Sequence, residues 1–251
     1  MRSFTIGQKQ IDVFPGAEPG SPVVYLNTYG REGAQVFRLL QEGGCRDFSL
    51  VAVSGLAWDH DMAPWDIPPI SEKGTPCTGG AGDHLKLLLD QILPEAEKAL
   101  PGIPSWRGIA GYSLAGLFAV YAMYQTDVFS RVASISGSLW FPGIKDYIAS
   151  HTPLKKPDCM YFSLGDRERR TRNRFLQCVQ ENTEAIHRFY QAQGIDTVFQ
   201  LQPGNHFQNS VERTAAGIRW ILDRDGAGKQ GSHPAGENTQ RKGAPDGTDH
   251  S

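Results

Sequence analysis

Ser113 stands among small residues in Gly111-Tyr112-Ser113-Leu114-Ala115-Gly116, after a short apolar run and before an apolar helical one. A serine on a sharp strand-to-helix turn is thrust clear of the sheet, where its hydroxyl can attack an electrophile. The chain contains 28 glycines, so a Gly-x-Ser-x-small match gains weight only if a base and an acid accompany it. A serine hydroxyl is a poor nucleophile near neutral pH and needs a general base that is itself oriented by a carboxylate. Where such an elbow works, the chain order is serine, acid, histidine, with the last two on loops at the carboxyl ends of later strands.

There are seven histidines. His60 and His84 precede Ser113, His151 comes too early for the last member, and His187 falls mid-helix, predicted on its solvated face. His233 and His250 lie in a polar C-terminal stretch. His206, in Gln202-Pro203-Gly204-Asn205-His206-Phe207, follows the last predicted strand and precedes the last predicted helix. Its Nε2 is the expected proton acceptor from Ser113. The acid should follow the strand before, where the chain reads Gly165-Asp166-Arg167-Glu168-Arg169-Arg170. Asp166 and Glu168 both satisfy the order, and the residues alone leave the choice open.

A developing oxyanion needs two backbone N–H donors, one of them from the residue after the nucleophile, here Leu114. The loop Asn27-Thr28-Tyr29-Gly30 follows an earlier strand, and Thr28, or else Tyr29, is the expected second donor. Tyr29 and Trp140, the latter beside Phe141 after another strand, are candidate walls of a substrate pocket. Asp59-His60-Asp61 carries metal-ligating side chains, but three adjacent residues in an extended loop cannot converge on one ion. No metal is expected there.

These residues need elements to position them. Short apolar runs at 23–26, 48–53, 108–111, 132–135, 160–164 and 198–201 read as parallel strands buried on both faces. The stretch Phe4–Phe14 alternates and reads as one antiparallel edge strand. Helical patterns span His84–Leu100, with a kink expected at Pro94, then Leu114–Tyr124, Arg172–Gln193 and Val211–Leu222. The alternation predicts an α/β fold, a mostly parallel sheet with helices on both faces. Residues 1–222 read as a single domain; beyond them large apolar residues vanish, and 223–251 read as a disordered tail. Residues 56–82 hold Trp58, Trp65 and several prolines; they read equally as a pocket wall or lid and as a packed surface loop.

Composition narrows the classes. The chain has 251 residues, enough for one sizeable core, and a net charge of −2 that gives no electrostatic case for nucleic acid or an anionic membrane. No apolar stretch is long enough to span a bilayer, and the N-terminus lacks the apolar region of a secretory signal, so a cytoplasmic location is expected. Cys45, Cys77, Cys159 and Cys178 show no CxxC spacing and read as free thiols.

With the elbow, Ser136-Gly137-Ser138-Leu139-Trp140-Phe141, Gly165-Asp166-Arg167-Glu168 and Gly204-Asn205-His206 in view, the chain resembles the esterase-D/enterochelin-esterase-like branch of the α/β-hydrolases from about Val23 to Leu222. The resemblance implies an α/β-hydrolase fold, ester cleavage through an acyl-enzyme, and no cofactor. It also implies a small-molecule partner, a siderophore-type or small acyl or aryl ester. Relatives place the acid three residues after the strand-end glycine, which favours Glu168 over Asp166. Ala115 departs from the commoner second glycine of the elbow. An acyltransferase on the same three residues, or a binding module of the same fold, would share these motifs.

Overall fold

The computed structural model describes residues 1–224. In chain order the strands are β1 (Arg2–Ile6), β2 (Lys9–Phe14), β3 (Val23–Asn27), β4 (Ser49–Ser54), β5 (Asp66–Ile67), β6 (Cys77–Thr78), β7 (Arg107–Tyr112), β8 (Arg131–Ile135), β9 (Cys159–Gly165) and β10 (Asp196–Gln202). The helices are α1 (Gly33–Glu42), α2 (Trp58–Asp61), α3 (Ala81–Leu87), α4 (Leu93–Glu97), α5 (Leu114–Ala122), α6 (Ile144–Ser150), α7 (Arg174–Gln177), α8 (Val179–Ala192) and α9 (Ser210–Leu222), with one π-helical turn at Leu88–Ile92.

Eight strands form one sheet in the order β1-β2-β4-β3-β7-β8-β9-β10. From β4 to β10 neighbouring strands are parallel, while β1 and β2 add an antiparallel margin. Parallel strands covered on both faces must be apolar on both faces, and β3, β4, β8 and β9 are buried at every position. Two separate cores result. One packs Leu85, Leu88, Phe118 and Tyr190, from the α3, α5 and α8 side, against the sheet; the other packs Val36 and Leu40 of α1 and Ile218 and Ile221 of α9 against the opposite face. This is the expected three-layer α/β architecture.

Several boundaries differ from the sequence reading. Phe4–Phe14 is two strands, because Gly7, at φ +59°, turns the chain back between them. The helix expected over 84–100 runs on continuously over 81–97 but takes up a π-helical turn at Leu88–Ile92, just ahead of Pro94, which has no N–H to donate. The long helix expected over 172–193 divides at Cys178 into α7 and α8. Strand β10 is only partly buried, since it forms the open edge of the sheet. His187 is half-buried between Phe162 and Phe199 rather than on the solvated face of its helix. The disorder expected for 223–251 falls, from residue 225 on, outside the described residues. Among the described residues no helix is long and apolar enough to cross a membrane.

Candidate active site

Strand β7 lies in the middle of the sheet and delivers Ser113 at its carboxyl end. There the backbone takes φ +60° and ψ −124°, a conformation that costs a non-glycine residue on the order of 1–3 kcal/mol. Two flanking glycines permit it. A Cβ at Gly111 would lie 2.3 Å from the Ala115 carbonyl carbon and oxygen, and one at Gly116 would lie 2.9 Å from Gly137 Cα. Ala115 itself is fully buried and fits. The turn is pinned across the sheet edge, with Ser113 N–H donating to the Ile135 carbonyl at 3.1 Å and Ser138 N–H to the Ser113 carbonyl at 3.0 Å.

The loops after β9 and β10 meet this serine. His206 Nε2 lies 3.0 Å from Ser113 Oγ, and His206 Nδ1 lies 2.8 Å from Glu168 Oε2. Glu168 Oε1 accepts from the Gly165 N–H at 2.6 Å and the Ser136 hydroxyl at 2.8 Å, with the Arg213 guanidinium at 3.3 Å. Burial raises the pKa of Glu168, but the hydrogen bond and charge of His206, the Gly165 N–H and the Ser136 hydroxyl outweigh it. The carboxyl is held below its ordinary value. Asp166 turns elsewhere: its Oδ1 accepts from the Gly204 N–H at 2.9 Å, and its side chain is half exposed. So Glu168, not Asp166, faces the histidine.

The N–H of Leu114 opens α5, where first-turn donors have no partner within the helix. Thr28 departs from expectation. Its N–H donates to the Val53 carbonyl at 2.9 Å, continuing the strand pairing, so this donor is already committed. The next N–H, that of Tyr29, takes over as the candidate. The loop is anchored from below by Asn27, whose Oδ1 is 2.9 Å from His84 Nε2. Burial pushes His84 down to about 4, with Asp61 opposing and Lys9 reinforcing the shift, so this histidine is a neutral structural group.

Two cavities open on Ser113. One, of about 400 Å³, includes Leu26, Val36, Val211 and Tyr29 in its walls. The other, of about 530 Å³, is bounded by Ile67, Ile70, Trp140, Arg167 and Arg170. Trp58, Ser113, His206 and Phe207 border both. Tyr29 is largely exposed and meets Trp58 edge-on, with ring centroids 5.2 Å apart. Residues 58–77 thus contribute cavity wall, braced by Asn173 Nδ2 donating to the Ile70 carbonyl at 2.8 Å. Phe141 is core, in T-shaped contact with Trp65, whereas Trp140 is partly exposed. The Asp59-His60-Asp61 side chains diverge, Asp59 to Thr75, His60 to Thr78 and Asp61 to Lys9.

Sequence reasoning missed Arg213, Ser136 and Tyr112 as members of this network. One signal was available: Arg213 interrupts the apolar face of α9, one turn before Gly217.

A parallel sheet clothed on both faces, with a strained serine after a central strand, is the architecture of the α/β-hydrolases. A family model described as "Putative esterase" matches residues 24–210, and the chain belongs to that esterase family. Among solved structures it is similar to an IroE-like serine hydrolase from Shewanella oneidensis, with a TM-score of 0.70 and 19% identity, covering 85% of this chain and 75% of that one. It is also similar to the siderophore hydrolase EstA from Aspergillus nidulans, with a TM-score of 0.65 and 20% identity, covering 88% and 93%. Among curated proteins it is 23% identical over 188 residues to the uncharacterized protein YbbA of Bacillus subtilis strain 168, covering 70% of this chain and 73% of that one.

Proposed function

We propose that the enzyme is a serine carboxylester hydrolase whose triad is Ser113, His206 and Glu168. One observation carries this reading: an unbroken hydrogen-bonded relay of 3.0 Å and 2.8 Å from Ser113 Oγ through the imidazole to Glu168. Ser113 Oγ attacks the ester carbonyl as its proton passes to His206 Nε2, and Glu168 steadies the imidazolium from Nδ1. The carbonyl oxygen, now negative, is held by the N–H groups of Leu114 and Tyr29. Collapse of the tetrahedral species expels the alkoxide, which takes the proton from His206 and leaves as alcohol. Water, deprotonated by the same imidazole, then attacks the acyl-enzyme and releases the acid, restoring Ser113. Neither half calls on a cofactor.

The two cavities on either side of Ser113 suit an ester with a sizeable group on each side of the scissile bond. Tyr29, Trp58 and Phe207 at the rim favour flat, aromatic groups. Arg167 and Arg170 on the larger cavity favour an anionic one. A siderophore-type or related aryl ester combines these properties, in keeping with the siderophore hydrolases among the structural neighbours. Ser113→Ala should abolish both ester cleavage and labelling by a fluorophosphonate, and full cleavage by that variant would sink the assignment. Aryl esters with and without a carboxylate should be compared with short alkyl esters. Equal kcat/KM across that panel would remove the substrate part of the proposal while leaving the triad standing.

A further inference from the structure

Arg213 occupies the second turn of α9 and is only 3% exposed. A cation is poorly placed there for the helix's own sake. The first turns of a helix carry partial positive charge, and a buried guanidinium has given up its water. Its acceptors come from four separate segments. Nη1 shares its two N–H groups among the Asn205 carbonyl at 3.0 Å, Glu168 Oε1 at 3.3 Å, the Tyr112 hydroxyl at 3.3 Å and Ser136 Oγ at 3.4 Å, while Nη2 donates to the Pro203 carbonyl at 2.8 Å. The chain clears space for it. A Cβ at Gly165 would meet the Gly204 carbonyl oxygen first and then both Nη atoms at 2.9 Å, and one at Gly204, already at φ +115°, would lie 2.8 Å from Gln208 Oε1 and 3.0 Å from Nη2. Tyr112 passes the connection on, its hydroxyl donating to the His206 carbonyl at 2.7 Å. Ser136, held at φ +44°, completes the ring with its 2.8 Å bond to Oε1.

We propose that Arg213 is a positioning residue for the reaction: its guanidinium locks the acid and the 203–206 loop into one charged unit that aims His206 and sets the pH range in which the histidine–acid pair works. This rests on the reading of Ser113, His206 and Glu168 as the triad. The guanidinium and the carboxylate offset each other's charge, so the imidazole lies against a neutral ion pair. When His206 takes the proton, the positive charge of Arg213 opposes the imidazolium through the shared carboxylate. Other titratable groups nearby are Glu32 and Asp59 across the two cavities, Tyr112 from β7, Tyr161 from β9 and, on the turn after β9, Arg170, Asp166 and Arg167. The last two point away, Asp166 to the Gly204 N–H and Arg167 Nη2 to Gln208. Deleting the guanidinium charge should therefore move the acid limb of the pair to higher pH, and deleting its fork should loosen the aim of His206.

The test is the second-order rate of fluorophosphonate labelling of the full chain, measured across pH. Arg213→Gln should lower the plateau by about 10- to 100-fold through lost alignment and shift the acid limb upward by about one pH unit. Arg213→Lys keeps the charge but not the fork, so its plateau should fall while its limb stays near the natural position. Melting curves identify any variant that fails to fold. Should Arg213→Gln fail, Tyr112→Phe, which cuts the link to the His206 carbonyl and leaves the charge in place, should lower the plateau several-fold without moving the limb. Natural plateau and limb in the folded Arg213 variants, or in Arg213→Lys and Tyr112→Phe together, would overturn the inference. Labelling of Ser113→Ala would instead overturn the triad reading beneath it.

Discussion

Glu168 carries two kinds of consequence, for rate and for stability. Replacing it with Gln keeps the shape but removes the charge that steadies the imidazolium, so kcat should fall by about 10³–10⁴-fold, as it does in other triads. Asp166→Asn should leave the rate near natural, because that carboxylate caps the Gly204 N–H instead. Steady-state kinetics of the pair would settle which carboxylate works, and the opposite ranking would refute the Glu168 role. A depressed carboxylate contributes stability that is fully present above its unfolded pKa, about 4.3, and is lost as pH falls through the lower folded value. The melting temperature of the natural chain should therefore drop below about pH 4, and Glu168→Gln should lack that component of the drop. At this scale the convergence of Ser113, His206 and a carboxylate from the turn after β9 was legible in the sequence, because chain order survives folding. The choice between Asp166 and Glu168 was not legible from the residues alone, since it depends on how a tight turn after β9 directs two nearby side chains. Nor was the commitment of the Thr28 N–H, which depends on how far β3 and β4 stay paired.

The elements place the chemistry, and the elbow is the most demanding of them. At Gly111 an added methyl would meet backbone atoms of α5 that cannot move without shifting the helix. Gly111→Ala should destabilise the fold by about 1–3 kcal/mol and should cost activity as well. Gly82, inside α3, makes a useful contrast, for a Cβ there meets nothing nearer than the Tyr121 hydroxyl at 4.0 Å. Gly82→Ala should stabilise by roughly 0.5–1 kcal/mol through helix propensity and a less flexible unfolded chain. Urea denaturation of both variants checks the sign of each. Strand positions were well marked by apolar runs where helices bury both faces, as at β3, β4, β8 and β9, whereas the run at β10 marked a strand that is only partly buried. Helix ends were less legible. Pro94 signalled an irregularity but not its π-helical form, and the division at Cys178 left no comparable mark in the sequence. Helix α1, with Val36 and Leu40 buried, went unread, since it begins on Gly33, itself a poor helix former, three residues after Gly30.

At the scale of the whole molecule, stability should be graded across the sheet. The central strands β3, β7 and β8 are closed by neighbours on both edges and buried, while β1 and β10 form its two margins. Native-state hydrogen exchange should accordingly be slowest in the strand that carries Ser113 and faster in β10, whose end carries the His206 loop. Uniform protection across all eight strands would contradict this gradient. The three-layer architecture was legible because strand–helix alternation is written into most of the chain, although not at α1 or α6. The network around Glu168 was not, because Arg213 meets that carboxylate only after the crossover from β9 to β10 has closed and α9 has packed back on the sheet. The wall between the two cavities has a further bearing on how such an enzyme diversifies. Trp58 borders both chambers, so one substitution there alters the fit of both halves of a substrate together. If each chamber takes one half of the ester, as proposed, selectivity for the two halves is genetically linked at that position, and a lineage acquiring a new ester would separate them by changing residues confined to one chamber, such as Val36 or Trp140.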